Sequence, residues 1–363
     1  MKTFLSVDLG AGSGRVIAAR YDGERVSMET VNRFDNTPVE INGHIFWNIP
    51  SLLANIRSGL LSAKEKYGDI AAVGVDTWGV DYALMDKSGR MLSLPYAYRD
   101  SRNNPQNTQK VFDKVGRQSL YSCTGIQFMD FNTLFQLNAE HDEVDSLLPK
   151  ADRLLFIPDL LNFALCGVMA NEATIASTSQ IIDVRTRDWC QPLLAKLGIP
   201  ASLFSSPVQP GTMLGKLRGL PGMEGTPVAV VGGHDTASAV ASVPSNPATS
   251  WGYLATGTWA LLGVECAKPV LSDLSYELSY THEGAVNGQF RYLKNCTGMW
   301  MIQELRRAWS ENGDLPDFES LMKQAMEAKP FRSLVDPDYP AFQSPGRMPE
   351  KITDFCRLTN QPI

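Results

Sequence analysis

No stretch of this sequence approaches the ~20 consecutive apolar residues that a membrane-spanning helix needs, so a helical bilayer span is excluded. Met1-Lys2-Thr3 leads straight into an apolar segment with no basic-then-apolar leader, which gives the expectation of a cytoplasmic chain. Positive charge is in short supply. The chain carries 33 Lys and Arg against 39 Asp and Glu, a net charge of -6, which argues against nucleic-acid and anionic-membrane partners. The six cysteines (Cys123, Cys166, Cys190, Cys266, Cys296, Cys356) are scattered, without a C-x-x-C pair. They read as reduced residues of a cytosolic protein and not as a disulfide frame or a zinc site. Two nucleotide signatures are also missing, the G-x-x-x-x-G-K-[ST] phosphate loop and the G-x-G-x-x-G dinucleotide turn.

What is present is an ordinary globular balance of 44% hydrophobic and 20% charged residues over 363 positions, enough for two or three domains. The residues at 227–239, Pro-Val-Ala-Val-Val-Gly-Gly-His-Asp-Thr-Ala-Ser-Ala, organise the reading. An apolar β-branched run stops at two glycines, and His234, Asp235 and Thr236 follow at the start of a small-residue helix. α/β proteins present reacting groups at a sheet edge in this way, and Asp235 is the candidate base.

Near the start, Phe4 to Leu9 is a short strand, and Gly10-Ala11-Gly12-Ser13-Gly14-Arg15 is a glycine-rich turn. The segment after it reads as strand, Asp22-Gly23 turn, strand. The turn therefore joins two hairpin strands and does not open a dinucleotide-binding helix. Its amides suit phosphate oxygens, Arg15 adds charge, and Asp8 at the strand end suits a hydrated metal ion. A plain tight turn is the alternative. Residues 50–61 carry Leu52, Ile56 and Leu60 at helical spacing, with Ser51 as the expected N-cap and Gly68 as the stop.

The strand 70–76 ends in Asp76-Thr77-Trp78-Gly79-Val80-Asp81, repeating the layout around Asp8. A Trp beside a Gly suits a sugar face. A buried Trp with Asp81 capping a turn is the competing reading. Tyr98-Arg99-Asp100-Ser101-Arg102 reads as a structural ion-pair network, and residues 105–220 as mainly helical wall without chemistry. Pro244-Ser245-Asn246-Pro247 marks a domain boundary. Residues 251–264 then repeat the strand, glycine turn, strand theme around Thr256-Gly257-Thr258. Two such turns, one early in each half, suit a clamp on a polyphosphate. Residues 292–309 read as a helix with Asn295 and Gln303 near its two ends, Asn295 being either a ligand group or an N-terminal cap.

Together Asp8-Leu9-Gly10, the 76–81 stretch, the 98–102 stretch, Gly233-His234-Asp235-Thr236-Ala237-Ser238-Ala239 and Thr256-Gly257-Thr258-Trp259 resemble the FGGY carbohydrate kinases, in order over the whole chain. The resemblance implies an α/β fold of two actin-like, ribonuclease-H-like domains flanking a cleft, residues 1–243 binding sugar and 244–363 binding ATP. It implies transfer of the ATP γ-phosphoryl group, with Mg²⁺, to the 1-hydroxyl of L-rhamnulose or a related ketose such as fuculose or xylulose. Carried over by position, Ala11, Gly12, Ser13, Gly14, Arg15, Thr258 and Gln303 contact ATP. Gly79, His234, Asp235, Thr236 and Asn295 hold the sugar, Asp235 takes the proton, and Asp8 faces the metal through water. Family members continue beyond the equivalent of Ile363 into a Gly-Gly-Gly segment beside the adenosine. The expectation is therefore an incomplete second domain and a chain that binds sugar without turning it over, or one that is inactive, as the alternative to a working kinase.

Overall fold

The computed structural model describes residues 1–246, 249–311, 313, 315–343 and 346–363. Pro247 of the expected linker lies outside them. The chain forms two compact units, Met1–Thr249 with Glu265–Tyr292, and Ser250–Val264 with Leu293–Ile363. These contact units differ from a single cut at Pro244 in returning residues 265–292 to the first unit. Local hydrogen bonds explain that return: the His282 amide donates to the Gly125 carbonyl (2.9 Å) and the Gly284 amide to Ser177 Oγ (2.7 Å).

The first unit is built on a six-stranded sheet whose strands are β1 (Lys2–Leu9), β2 (Ser13–Tyr21), β3 (Val26–Asp35), β4 (Ala72–Thr77), β5 (Met213–Lys216) and β6 (Pro227–Ala229). Their spatial order is β5-β6-β4-β1-β2-β3. β1, β2 and β3 form the expected antiparallel meander, while β1, β4 and β6 run parallel. This is the ribonuclease-H-like arrangement. In β1 the side chains alternate, with Leu5, Val7 and Leu9 buried, as a period of two requires. β4 is buried along nearly its whole length, as befits a central strand covered on both faces.

Helix α1 (Ile49–Tyr67) lies against β1, β2 and β3, and α2 (Ile157–Cys166) against β4, β5 and β6. Leu52, Ile56 and Leu60 of α1 are all buried, each contributing roughly 1.5–3 kcal/mol of transfer free energy. Asn48, not Ser51, caps this helix, its side chain accepting the Ser51 amide at 3.2 Å, because Pro50 already stands in the first turn. Gly68 ends it as expected. Two short helices matter for the site, α3 (Ala173–Ser177) and α4 (Asp235–Ala241).

Strands β7 (Tyr253–Thr256) and β8 (Trp259–Cys266) are the second hairpin, paired antiparallel as expected. β9 (Thr281–Gly284) follows in the first unit, then β10 (Phe290–Thr297) and helix α5 (Trp300–Glu311). Asn295 is therefore a strand residue, five positions before the helix starts at Trp300, which corrects the expected helix over 292–309. The alternation of Phe290, Tyr292 and Lys294 with Arg291, Leu293 and Asn295 is a strand period that the following helix obscured. The second unit has its own small core of Met301, Phe342, Met348 and Phe355.

Gly14 is the second residue of β2, where a Cβ would overlap the side chains of Leu9 and Phe34. Gly14→Ala is expected to cost about 1–3 kcal/mol by overpacking, read as a lower urea midpoint at unchanged slope. An unchanged midpoint would show that Leu9 and Phe34 move aside freely.

Candidate active site

Three parallel strands deliver their ends to one edge of the sheet. Asp8 of β1 stands in register beside Asp76 of β4, and Thr77 bridges to His234 beyond β6, where the Thr77 amide donates to the Gly233 carbonyl at 2.9 Å. α4 starts at Asp235. The carboxylates of Asp8, Asp76 and Asp235 thus share one electrostatic neighbourhood. Burial pushes Asp76 well above the ordinary range, and the charges of Asp8 and Asp235 push it further, with Arg15 pulling back. Arg15 lies opposite Asp8 across the hairpin and binds it at 2.7 Å.

Asp235 sits deep among protein atoms, yet its side chain keeps 35% of its surface open. Burial raises its carboxyl above the usual value, while His234 and the Thr236 hydroxyl and amide pull it down. Its Oδ1 accepts the Thr236 amide at 2.6 Å and the Thr236 hydroxyl at 3.1 Å, leaving Oδ2 outside those bonds. A carboxylate made more basic and still reachable is what a proton acceptor requires.

His234 is held from several sides. Its amide donates to Thr174 Oγ1 (3.2 Å), its Nδ1 lies 2.9 Å from Arg291 Nη2 and 3.1 Å from Glu283 Oε2, and its Nε2 faces Asp235 Oδ1 at 3.5 Å. Arg291 is fully buried and donates to Glu283 at 2.8 Å and to the Gly284 carbonyl at 3.1 Å. Burial alone would raise Glu283, but Arg291 and His234 outweigh it and lower the carboxyl to about 2. Glu172, at the entry to α3, accepts the amides of Thr174, Ile175 and Gly233 and the Thr174 hydroxyl. A Cβ on Gly233 would reach 2.6 Å from Glu172 Oε2, so the glycine is needed for the carboxylate to approach the backbone.

The 78–81 bend is similarly over-determined. Asp81 accepts the indole N–H groups of Trp47 (2.6 Å) and Trp78 (3.0 Å), the Tyr98 amide (3.2 Å) and Gln136 Nε2 (2.8 Å). Burial still raises its carboxyl to about 6. Val80 is held at φ +70°, a strained setting for a β-branched residue. Trp78 is buried against Trp47, so the structural reading of this Trp is the one observed. Gly79 remains at the site, since a Cβ there would stand 3.5 Å from His234 Nε2. Asp100 binds His44 and the Ile45 amide, and Arg102 binds Glu140 and Glu143, which is the structural network expected.

The 10–14 turn is pinned by Asn36, whose side chain donates to the Gly10 carbonyl (2.9 Å) and whose amide donates to the Gly12 carbonyl (3.2 Å). Among the described residues the amides of Ala11 and Gly12 have no partner. Ser13 and Gly14 begin β2. In the second unit, the Gly257 and Thr258 carbonyls accept the amides of Met299 (2.9 Å) and Gly298 (3.1 Å), and the Gln303 amide donates to the Met299 carbonyl (2.9 Å). Thr258 and Gln303 are thus tied through one turn, Gln303 being exposed and Asn295 half-buried in β10. The first unit gathers Asp8, residues 11–15, Gly79 and His234 to Thr236, and the second holds Thr258, Asn295 and Gln303.

Sequence reasoning missed Asp76, Glu172, Thr174, Glu283 and Arg291. Only Asp76 carried a local signal, its place at a strand end. As for a metal, the donor set at the edge is oxygen from carboxylates, which fits a hard cation such as Mg²⁺. Among the described residues these carboxylates do not form a group of three whose ligand atoms all lie within 4.8 Å of one another.

Comparison with known proteins agrees with this architecture. The models of the FGGY family of carbohydrate kinases match over both domains, the N-terminal at residues 3–242 and the C-terminal at 252–362. The chain belongs to that family, whose members are phosphotransferases acting on sugars. It is 40% identical to a rhamnulokinase of Bacteroides thetaiotaomicron over all of this chain and 74% of that one. It is 39% identical to a rhamnulokinase of Mannheimia succiniciproducens over 99% of this chain and 72% of that one. Among solved structures, xylulose kinase from Lactobacillus acidophilus superposes with a TM-score of 0.75 at 16% identity, covering 91% of this chain and 66% of the other. Plasmodium falciparum glycerol kinase with ADP gives 0.74 at 15%, covering 93% and 71%. These structures speak to the fold alone. The chain thus spans about three quarters of the relatives' length (74% and 72%). No helix among the described residues is long and apolar enough to cross a membrane.

Arg291 and Glu283 are buried partners, so removing one strands the other. Arg291→Met is expected to destabilise the fold by about 3–5 kcal/mol, and Arg291→Met with Glu283→Leu to recover much of that loss, both read by urea denaturation. A single variant as stable as the parent would mean that Glu283 is not held as a charge.

Proposed function

We propose that the chain phosphorylates the 1-hydroxyl of L-rhamnulose at the expense of ATP, in the cytoplasm, with Asp235 as the proton acceptor. The observation that carries the chemistry is the placement of Asp235, a basic and partly open carboxylate held beside His234 at the edge shared with Asp8. The choice of sugar rests on the relatives, rhamnulokinases 36–40% identical over nearly the whole chain.

In this reading Gly79, His234, Thr236 and Asn295 position the ketose, the bare Gly79 leaving room against the imidazole. Asp235 aligns the hydroxyl and takes its proton as the oxygen–phosphorus bond forms. Phosphoryl transfer passes through a loose transition state, so alignment and charge neutralisation matter more than the strength of the base. Residues 11–15 offer amides and a guanidinium to the ATP phosphates, and Thr258 and Gln303 are further ATP-contacting residues. Residues 1–243 are then the sugar domain and 244–363 the nucleotide domain. Asp8 would hold Mg²⁺ through water, and the ion when bound supplies neutralisation of the phosphate oxygens.

Asp235→Asn is expected to lower kcat by roughly a thousandfold or more, within the range general-base catalysis and alignment together supply, while L-rhamnulose still binds by calorimetry. A variant that keeps its rate removes Asp235 from the role. Calorimetric heat with L-rhamnulose but no ADP release from the parent chain would favour a sugar-binding protein without turnover.

The pH profile follows from the direction of the Asp235 shift. The base acts ionised and burial raises its carboxyl, so kcat/KM falls as pH drops through that raised value. Its acid limb stands above the ~3.9 of a free aspartate. An acid limb at or below that value would mean that Asp235 is not the titrating group.

A further inference from the structure

The sequence separates Cys123 and Cys190 by 67 positions, and the fold brings their sulfurs to 3.0 Å. Cys123 lies in the last turn of the Arg117–Thr124 helix. The short hairpin of Ile182–Asp183 with Asp188–Trp189 carries Asp183, and Cys190 follows it directly. Backbone bonds lock the pieces together: the Val184 amide donates to the Cys123 carbonyl (3.0 Å) and the Cys190 amide to the Ile181 carbonyl (2.9 Å). Asp183 Oδ1 accepts the Arg185 amide at 2.8 Å, while Oδ2 points to Cys123 Sγ at 3.8 Å. One ligand atom from each of the three residues lies within 4.8 Å of the others.

We propose that Cys123, Cys190 and Asp183 form a binding site for a thiophilic divalent cation of the zinc class, with the fourth position open to a surface cavity. That cavity, of about 490 Å³, is lined by Gln118, Ser119, Ser122, Cys123 and Arg185 and gives entry from solvent. Thiolate sulfur and carboxylate oxygen are both zinc donors, and tetrahedral ligation at Zn–S of about 2.3 Å sets the sulfurs roughly 3.7 Å apart. The pair therefore opens by under an ångström, and the 3.8 Å between Cys123 Sγ and Asp183 Oδ2 is already close to what such ligation needs. On binding, each thiol releases its proton to solvent and the sulfur lone pairs take the metal. Arg185 offsets the extra negative charge of the three ligands.

The test uses the reduced, full-length chain titrated with Cd²⁺ alone, read by the sulfur-to-cadmium charge-transfer band. A single tight equivalent is expected, lost in Cys123→Ser and in Cys190→Ser and weakened roughly 10–100-fold in Asp183→Asn. Because a serine variant can misfold, alkylation of the parent by iodoacetamide followed by mass spectrometry supplies a second readout. Zn²⁺ should protect Cys123 and Cys190 but leave the half-buried Cys266 and Cys296 as reactive as before. No charge-transfer band, equal protection of all four, or a band that survives both serine variants would overturn the site.

Discussion

Everything at the sheet edge follows from crowding negative side chains where parallel strands end. Asp8, Asp76 and Asp235 come from β1, β4 and the turn after β6, so the topology itself decides that they meet. Arg15 is bonded to Asp8, and the exposure of that pair (48% and 26%) limits its worth to about 1 kcal/mol or less. Burial first, and the neighbouring negative charges after it, raise the carboxyls of Asp76 and Asp235, most strongly at the deeply buried Asp76. A site that is short of positive charge by construction is suited to ligands that bring cations with them.

Such an edge keeps its geometry only if its backbone is held from behind. Glu172 does this by gathering amides from α3 and from Gly233 on one carboxylate, and Arg291 with Glu283 does it for the imidazole of His234. Both devices bury charge, which costs free energy unless donors surround it. Glu283 stays ionised because Arg291 is fully sequestered with it. Residues 265–292, which supply both, follow the expected linker in the chain and yet belong to the first unit. The first unit's site is thus completed by chain that comes after the boundary.

Reading the sequence located the reacting groups better than their supports. Gly233-His234-Asp235 stands out because strand, paired glycines and polar triplet leave a periodic trace, and the 10–14 turn stands out for the same reason. Glu172 and Arg291 leave none, since a buried charge looks like a surface charge until its partner's position is known. The strand around Asn295 is hard to see because it ends at Thr297, just before the helix at Trp300, and blends into the helical pattern; Trp78 carries two readings because a Trp beside Gly is equally good at covering a core or a sugar. The apolar run before the two glycines extends to Val231, two residues past the strand, whose last ladder pair is at Ala229.

Cysteine pairs belong to the same class of hidden information. Cys123 and Cys190 have no spacing signature, and each alone reads as a small core residue. What joins them is the hairpin at 182–189 folding back on the Arg117–Thr124 helix, a contact of tertiary origin. Asp183 then turns a contact into a ligand set, because a carboxylate beside two thiols disfavours their anions unless a cation is shared among them. Both clusters in the first unit, the carboxylates at the sheet edge and the thiols beyond it, are therefore arrangements whose electrostatics improve on binding positive charge. The hard oxygen set and the soft sulfur set would select different ions.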